Sequence, residues 1–404
     1  MESPESIPPI SPPGGPAVVL GAGYAGLTVA SGIARRSKGR VRVILVARRP
    51  VHVLRTELYE VGKLAESGDD LSAWVLPLRK ILDGKRVDFR AGTVTKIDLE
   101  ERRIHLEDGE LSYGALAICL GSVAAYYGVP GAPENTHQVY RLEGAQKFAR
   151  ALREVESKSP DLPPRRQPRI VVVGGGSTGT ELAAEIATTD WGAITVPGAR
   201  TPEVVLVTGS VPFLAELPES LIEHARILLR RAGVAMIQGV NVTKVEPNRV
   251  HLEDGSILAF DLCVWCAGLQ APPVVAELPV THGRGGRIAV NEFLEIPNHP
   301  ATWGVGDVIE FKDPTTGMAV PGTAQAALAE ARVAAANLVA HYLGQPAVPF
   351  RYREKGVVVA VGVGRASGRV KRITLWGSPA ALVKAFAQQR YARSAEKGEV
   401  SSLL

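Results

Sequence analysis

A chain of 404 residues, 46% of them hydrophobic, is long enough for two domains and a smaller third piece, each with its own core. Its formal charge of +5 does not point to nucleic acid, because the Lys and Arg residues are spread widely with few aromatic residues between them. Three cysteines fit a reducing compartment and not a disulfide scaffold, and no apolar run approaches the ~18 residues a membrane-spanning helix needs. A soluble, cytoplasmic protein is therefore expected, with at most peripheral contact at an inner membrane surface.

The first residues, through Pro16, are rich in Pro, Ser and Glu and read as a disordered tail. Val18 to Leu27 then carries Gly21, Gly23 and Gly26 between an apolar strand and a probable helix opening at Tyr24 and Ala25. Val41 to Ala47 reads as the next strand of a βαβ unit, whose end is where an acidic residue normally binds a ribose. Ala47 stands there, followed by Arg48 and Arg49.

Thr93 to Gly121 can be set beside Asn241 to Gly268: Val-Thr-Lys, His-Leu-Glu-Asp-Gly and a closing apolar strand ending in Gly recur in the same order. Two related domains are implied, and His105 and His251, at repeated strand positions, read as structural. Pro-rich punctuation around a probable helix from Leu142 to Val155 marks the crossing between them.

Ile170 to Ile186 repeats the glycine pattern of Val18 to Leu27, the fingerprint of a dinucleotide site, so two dinucleotides are implied. Gly174 makes the turn, Gly176 lets a pyrophosphate approach the backbone, and Gly179 lets the helix pack close to the strand, with Thr178 and Glu181 beside them. The following strand, Glu203 to Val207, ends at Thr208-Gly209-Ser210, so the acidic ribose ligand is missing here too and the choice between NADH and NADPH stays open. Cys263 and Cys266 have dithiol spacing. In the strand predicted over Asp261 to Ala267 they would face opposite ways, roughly 10 Å apart, beyond the ~7 Å a disulfide spans; a zinc site lacks partners.

Ala301 to Asp307 reads as a strand delivering an aspartate at the sheet edge where doubly wound folds bind ligands. A helix is predicted from Pro321-Gly322-Thr323 to about His341, its N-terminal dipole suited to negative charge on a reduced flavin. Pro379 to Arg393 offers a short helix with Leu382, Val383 and Phe386 on one side and Lys384, Arg390 and Arg393 elsewhere. It is expected to pack on its own domain or a second subunit, so a homodimer is left open.

Taken in order, these stretches resemble the FAD-dependent pyridine nucleotide oxidoreductases, and within them the type II NADH dehydrogenases. The resemblance rests on Gly21 to Gly26, Gly121 to Gly131, Gly174 to Glu185, Trp265 to Gly268, Gly285 to Val290, Gly304 to Asp307, Pro321 to Gln325 and Phe350 to Gly356. It implies an α/β fold of two Rossmann-like dinucleotide-binding domains plus a small C-terminal region. A discontinuous FAD domain would cover 17–131 and 287–349, a NAD(P)H domain 132–286, and the C-terminal region 350–404. It implies FAD on Gly21, Gly23, Tyr24, Ala25, Gly26, Arg48, Val94, Gly121, Gly306, Asp307, Ala324 and Gln325, and NADH or NADPH on Gly174, Gly176, Thr178, Gly179, Glu181, Thr208 and Gly268. Catalytic positions implied are Glu181, where nicotinamide and flavin meet, Gln325 beside the flavin ring, and Lys355. For Glu181 the plain alternative is a carboxylate favoured by a helix N-terminus; for Lys355 it is a surface lysine.

Two departures stand out. The family's second glutamine, four residues after the first, is Ala329 here, and its long apolar C-terminal arm is missing. The expected function is transfer of hydride from NAD(P)H to FAD and of electrons onward to a quinone or quinone-like acceptor. Alternatives are a soluble tailoring or detoxifying oxidoreductase acting on a small aromatic molecule, and a non-catalytic dinucleotide-binding redox sensor.

Overall fold

The computed structural model describes residues 15–60, 70, 72–191 and 198–397. Its centre is a pair of parallel sheets. The first has five strands in the order Thr302–Gly304, Ala115–Ile118, Ala17–Leu20, Val43–Ala47, Val87–Ala91, with Val18 opposite both Ile44 and Leu116. The second has four, in the order Ala235–Gln238, Glu203–Thr208, Arg169–Val173, Leu262–Trp265. The central strand Ala17–Leu20 is fully buried, and Arg169–Val173 is buried beyond its first residue. That is why both read as unbroken apolar runs without alternation: helices or hairpins cover both faces. The fold is thus α/β with two Rossmann-like units, each closed by a three-stranded antiparallel hairpin over residues 94–112 and 242–259. Both hairpins carry a register shift at the same place, Val94/Lys96 and Val242/Lys244, which bears out the internal repeat.

The C-terminal strands Gly356–Ala360, Ala366–Val370 and Ile373–Gly377 form a separate antiparallel sheet, followed by the helix Ser378–Glu396. Val359 and Val361 join the core of the second unit, and the Ser367 hydroxyl donates to the Leu221 carbonyl at 3.1 Å. The helix reaches back to the first unit as well, with Tyr391 and Ala395 in that unit's core. It packs on its own chain, as expected, but by another face. Leu382 and Phe386 are 71% and 66% exposed, whereas Ala380, Tyr391 and Ala395 are buried and Lys384 turns inward.

Residues 1–14 of the expected tail lie outside the described residues. Gly15 and Pro16 are tied down and do not belong to a disordered segment: the Tyr342 hydroxyl donates to the Gly15 carbonyl at 3.1 Å, and the Gly114 amide to the Pro16 carbonyl at 2.9 Å.

One buried carboxyl has no counterpart in the sequence reading. Glu156, in the last turn of the helix Leu142–Ser157, is fully buried and neither carboxyl oxygen has a hydrogen-bond partner. Burial pushes it up to about 8. Because the folded state holds this proton more tightly than the unfolded chain, its contribution is greatest below the ordinary glutamate range and is lost as pH rises towards 8. Glu156→Gln should remove that loss and stabilise the fold at pH 8.5 by roughly 2–4 kcal/mol while changing little at pH 4.5. Urea unfolding at the two pH values measures the difference.

Candidate functional site

Each glycine fingerprint builds the same cradle. Gly21 and Gly174 have φ of 103° and 117°, a region costly for any residue with a Cβ, and an added Cβ there would run into the carbonyls of Cys119 and Cys266. A Cβ on Gly26 would strike the Gly21 carbonyl, and one on Gly179 the Gly174 carbonyl. The middle glycines differ. Around Gly23 and Gly176 no protein atom lies within 4 Å of an added Cβ, so these positions face open space at the starts of the helices Tyr24–Arg36 and Ser177–Thr188. Neither helix has an acidic residue in its first turn, so the positive ends of both dipoles stay available to an anion. A dinucleotide diphosphate fits both. Ala25 packs against the Gly306 turn, with 3.2 Å between its Cβ and one built on Gly306, and Thr178 sits beside Gly179 on the second helix.

At the first cradle Asp307 is held from two sides. The Ser122 hydroxyl donates to its Oδ2 at 2.8 Å, and Arg55 Nη1 lies 3.6 Å from the same oxygen. Gly121 makes room for that arginine: an added Cβ would lie 3.2 Å from Arg55 Nη1. On the other side the buried Glu330 accepts from the Gly306 amide at 2.7 Å, and burial pushes this carboxyl up to about 7. Arg48 and Arg49 approach Glu143 at 4.0 and 2.8 Å. Arg141 is held below its usual range by burial and by the charges of Arg48 and Arg55, so the guanidinium groups of Arg48, Arg55 and Arg141 lie within reach of one another. Val94 opens the hairpin strand here, opposite Leu106. Ser122, Arg55, Arg141 and Glu330 were not singled out in the sequence; only the adjacency of Ser122 to Gly121 hinted at any of them.

At the second cradle Thr208 ends the strand, buried and paired with Gln238. Gly268 follows the strand Leu262–Trp265, and the Tyr127 hydroxyl lies where its Cβ would be. Glu181 is in the second helical turn, not the first, and its carboxylate is buried away from the helix start. It accepts from the Ala360 amide at 3.1 Å and pairs with Lys384, whose ammonium lies 4.5 Å from the centre of the Tyr59 ring. The helix-dipole reading of Glu181 is therefore replaced by a buried ion pair. Burial and the nearby Glu181 charge raise the Tyr59 phenol, which stays neutral.

Gln325 and Lys355 come together through the backbone. The Gln325 carboxamide donates to the Gly356 carbonyl at 3.2 Å and accepts from the Lys355 amide at 2.8 Å, so its side chain holds this loop. Lys355 itself is exposed; partial desolvation, Arg332 and Arg390 lower it. Ala324 begins the helix Ala324–Leu343, capped by the Thr323 hydroxyl, which accepts from the Ala326 amide at 3.1 Å. The strand Gly356–Ala360 thus joins Gln325 at one end to Glu181 at the other, roughly 13 Å along four residues. The C-terminal helix closes the first cradle from outside: the Tyr391 hydroxyl bonds His52 Nε2 at 3.0 Å, and His52 Nδ1 meets the Ala22 carbonyl at 2.9 Å. Burial pushes His52 down to about 4, so the neutral ring satisfies both contacts.

The family model of pyridine nucleotide-disulphide oxidoreductases matches residues 16–331. The chain belongs to that family. Two relatives extend the likeness over most of the chain. An NADH dehydrogenase-like protein of Mycobacterium tuberculosis is 31% identical over 91% of each chain. The type II NADH:quinone oxidoreductase of the same organism is 28% identical over 94% of this chain and 85% of its own. In fold the chain matches the solved structure of NDH2 from Plasmodium falciparum in complex with NADH, with a TM-score of 0.81, 15% identity and 96% of each chain covered. The family is one of FAD-containing, pyridine-nucleotide-using enzymes, and this oxidoreductase is an FAD-dependent NAD(P)H dehydrogenase.

The disulphide chemistry in the family's description has no counterpart here. All three cysteines of the oxidoreductase are buried and unpaired, and burial raises the Cys263 and Cys266 thiols, which leaves them unreactive. No helix among the described residues is long and apolar enough to cross a membrane.

The cradles make separable predictions. Gly26→Ala should yield protein without flavin, seen as loss of the visible absorbance. Gly179→Ala should keep flavin but weaken NADH binding at least tenfold, measured by titration of the flavin-loaded protein.

Proposed function

We propose that this NAD(P)H dehydrogenase holds FAD on the first cradle and the nicotinamide nucleotide on the second, and that the electrons leave to a quinone. The observation that carries the reading is the pair of matching glycine cradles opening at the C-terminal edges of two parallel sheets, with buried charge, Glu181 and Lys384, between them and the C-terminal region. FAD, when bound, supplies the hydride-accepting ring and can release electrons singly or in pairs.

The protein's part is to bind, orient and shield. The amides at the two helix starts hold the diphosphates, with Arg48, Arg55 and Arg141 adding positive charge at the first. Asp307, steered by Ser122 and Arg55, accepts from sugar-chain hydroxyls. The start of the helix at Ala324 favours negative charge on the reduced ring, and Gln325 keeps the Lys355–Gly356 loop against it. The Ala360 amide and Lys384 compensate the Glu181 carboxyl; removing either partner would leave a buried polar group unmatched. Held this way it lines the place where a nicotinamide and then an acceptor would stand.

Relatives named as NADH:quinone oxidoreductases support the choice of quinone, and nothing in the arrangement demands a dithiol or a metal. The test is steady-state NADH oxidation with a lipid quinone in detergent and with water-soluble quinones. Turnover with the lipid quinone at least equal to that with the soluble ones supports the proposal. A strong bias towards the soluble ones favours a small-molecule oxidoreductase instead.

The ion pair gives a sharper check. Glu181→Gln and Lys384→Met should each lower turnover about tenfold or more, and Lys384→Met should also lower the melting temperature, because it strands a buried charge. The double variant should be no worse than the worse single, since the two groups act as a unit. Additive losses would contradict the coupling.

A further inference from the structure

Neither strand end that should read a ribose carries its own carboxylate, yet in the second unit one is brought there from elsewhere. We infer that Glu253, tethered by Asn241 to the Gly209–Ser210 turn, takes the place of the missing acidic residue and makes the enzyme select NADH over NADPH. The inference rests on the reading of the second cradle as the nicotinamide nucleotide site.

Three observations lead to it. First, the internal repeat equates the two hairpin starts. The Glu107 amide donates to the Thr93 carbonyl at 3.1 Å and the Glu253 amide to the Asn241 carbonyl at 2.9 Å. The Gly92 amide donates to the Ala47 carbonyl at 3.1 Å and the Val240 amide to the Thr208 carbonyl at 3.2 Å. Each hairpin therefore springs from the C-terminal edge of the strand whose end faces a nucleotide's ribose in a dinucleotide fold.

Second, the side chains form a chain of hydrogen bonds to that edge. The Ser210 amide donates to Asn241 Oδ1 at 2.9 Å, and Asn241 Nδ2 donates to Glu253 Oε2 at 2.8 Å. The turn is shaped for this: a Cβ on Gly209 would collide with Asn241 Oδ1. The remaining acceptor sites of Glu253, which is exposed, can take hydrogen bonds from ribose hydroxyls.

Third, the sign of the charge at the turn follows from these contacts. A 2′-phosphate on a ribose held there would meet the Glu253 carboxylate, and like charges at such range repel. The first unit solves its own deficit differently, since there Arg48 and Arg49 occupy the turn and Glu143 faces them.

The test uses the flavin-loaded enzyme and two readouts: calorimetric dissociation constants for NAD+ and NADP+, and kcat/KM for NADH and NADPH. Wild type should favour the unphosphorylated nucleotide at least tenfold in both. Glu253→Gln should narrow that ratio at least fivefold, chiefly through tighter NADP+ binding. Asn241→Ala, which frees the carboxylate from the turn, should narrow it in the same direction. A wild-type preference for NADP+, or a ratio unchanged within twofold in both variants, overturns the inference while leaving the cradle reading intact. Failure of both nucleotides to bind overturns the cradle reading and this inference with it.

Discussion

The geometry of both sites depends on one contact made twice, a helix backbone pressed against the carbonyl of the turn before it. Gly26 sits so close to the Gly21 carbonyl, and Gly179 to the Gly174 carbonyl, that no side chain fits between. This closeness lets the helix start directly at the strand end, aims its unpaired amides into the cleft, and leaves Gly23 and Gly176 facing open space. Had either contact been relaxed by a single methyl group, the anion site would widen and the sheet edge would lose its purpose.

What joins the two cradles into one site is long-range and polar. The C-terminal helix places Lys384 on Glu181 and Tyr391 on His52, tying one residue of each unit to the same nineteen-residue element. A buried pair of this kind adds little net stability compared with apolar packing. Its consequence is structural: it fixes the last helix against the Glu181 side chain, which also accepts from the Ala360 amide. The exposure of Leu382 and Phe386 follows from the same choice: the helix turns the face carrying Lys384 inward, and these apolar residues are left outside.

What the sequence made legible was whatever the local backbone demands. Glycine spacing announced both cradles, unbroken apolar runs announced buried parallel strands, and the repeated His-Leu-Glu-Asp-Gly announced the paired hairpins, because each is a constraint met within a few neighbouring residues. Asp307 was legible from its place after a strand. The partners were not. Ser122 and Arg55 on Asp307, Lys384 on Glu181, Gln325 on the Lys355–Gly356 loop, and Asn241 with Glu253 are separated by tens to hundreds of residues or act through side-chain geometry that no spacing encodes. Lys384 shows the reason most plainly: a lysine on an amphipathic helix is ordinarily a solvated residue, and only the carboxylate waiting 203 positions away turns it inward.

The proposed hydride transfer requires that both cradles hold their nucleotides in one working site. The most direct measurement is the visible spectrum of the purified protein, recorded without oxygen before and after one equivalent of NADH. A flavin spectrum, about one flavin per chain, that bleaches within the mixing time or shortly after is the expected result. Protein that carries no flavin and takes up none when FAD is added, or a bound flavin that neither NADH nor NADPH bleaches, would contradict it.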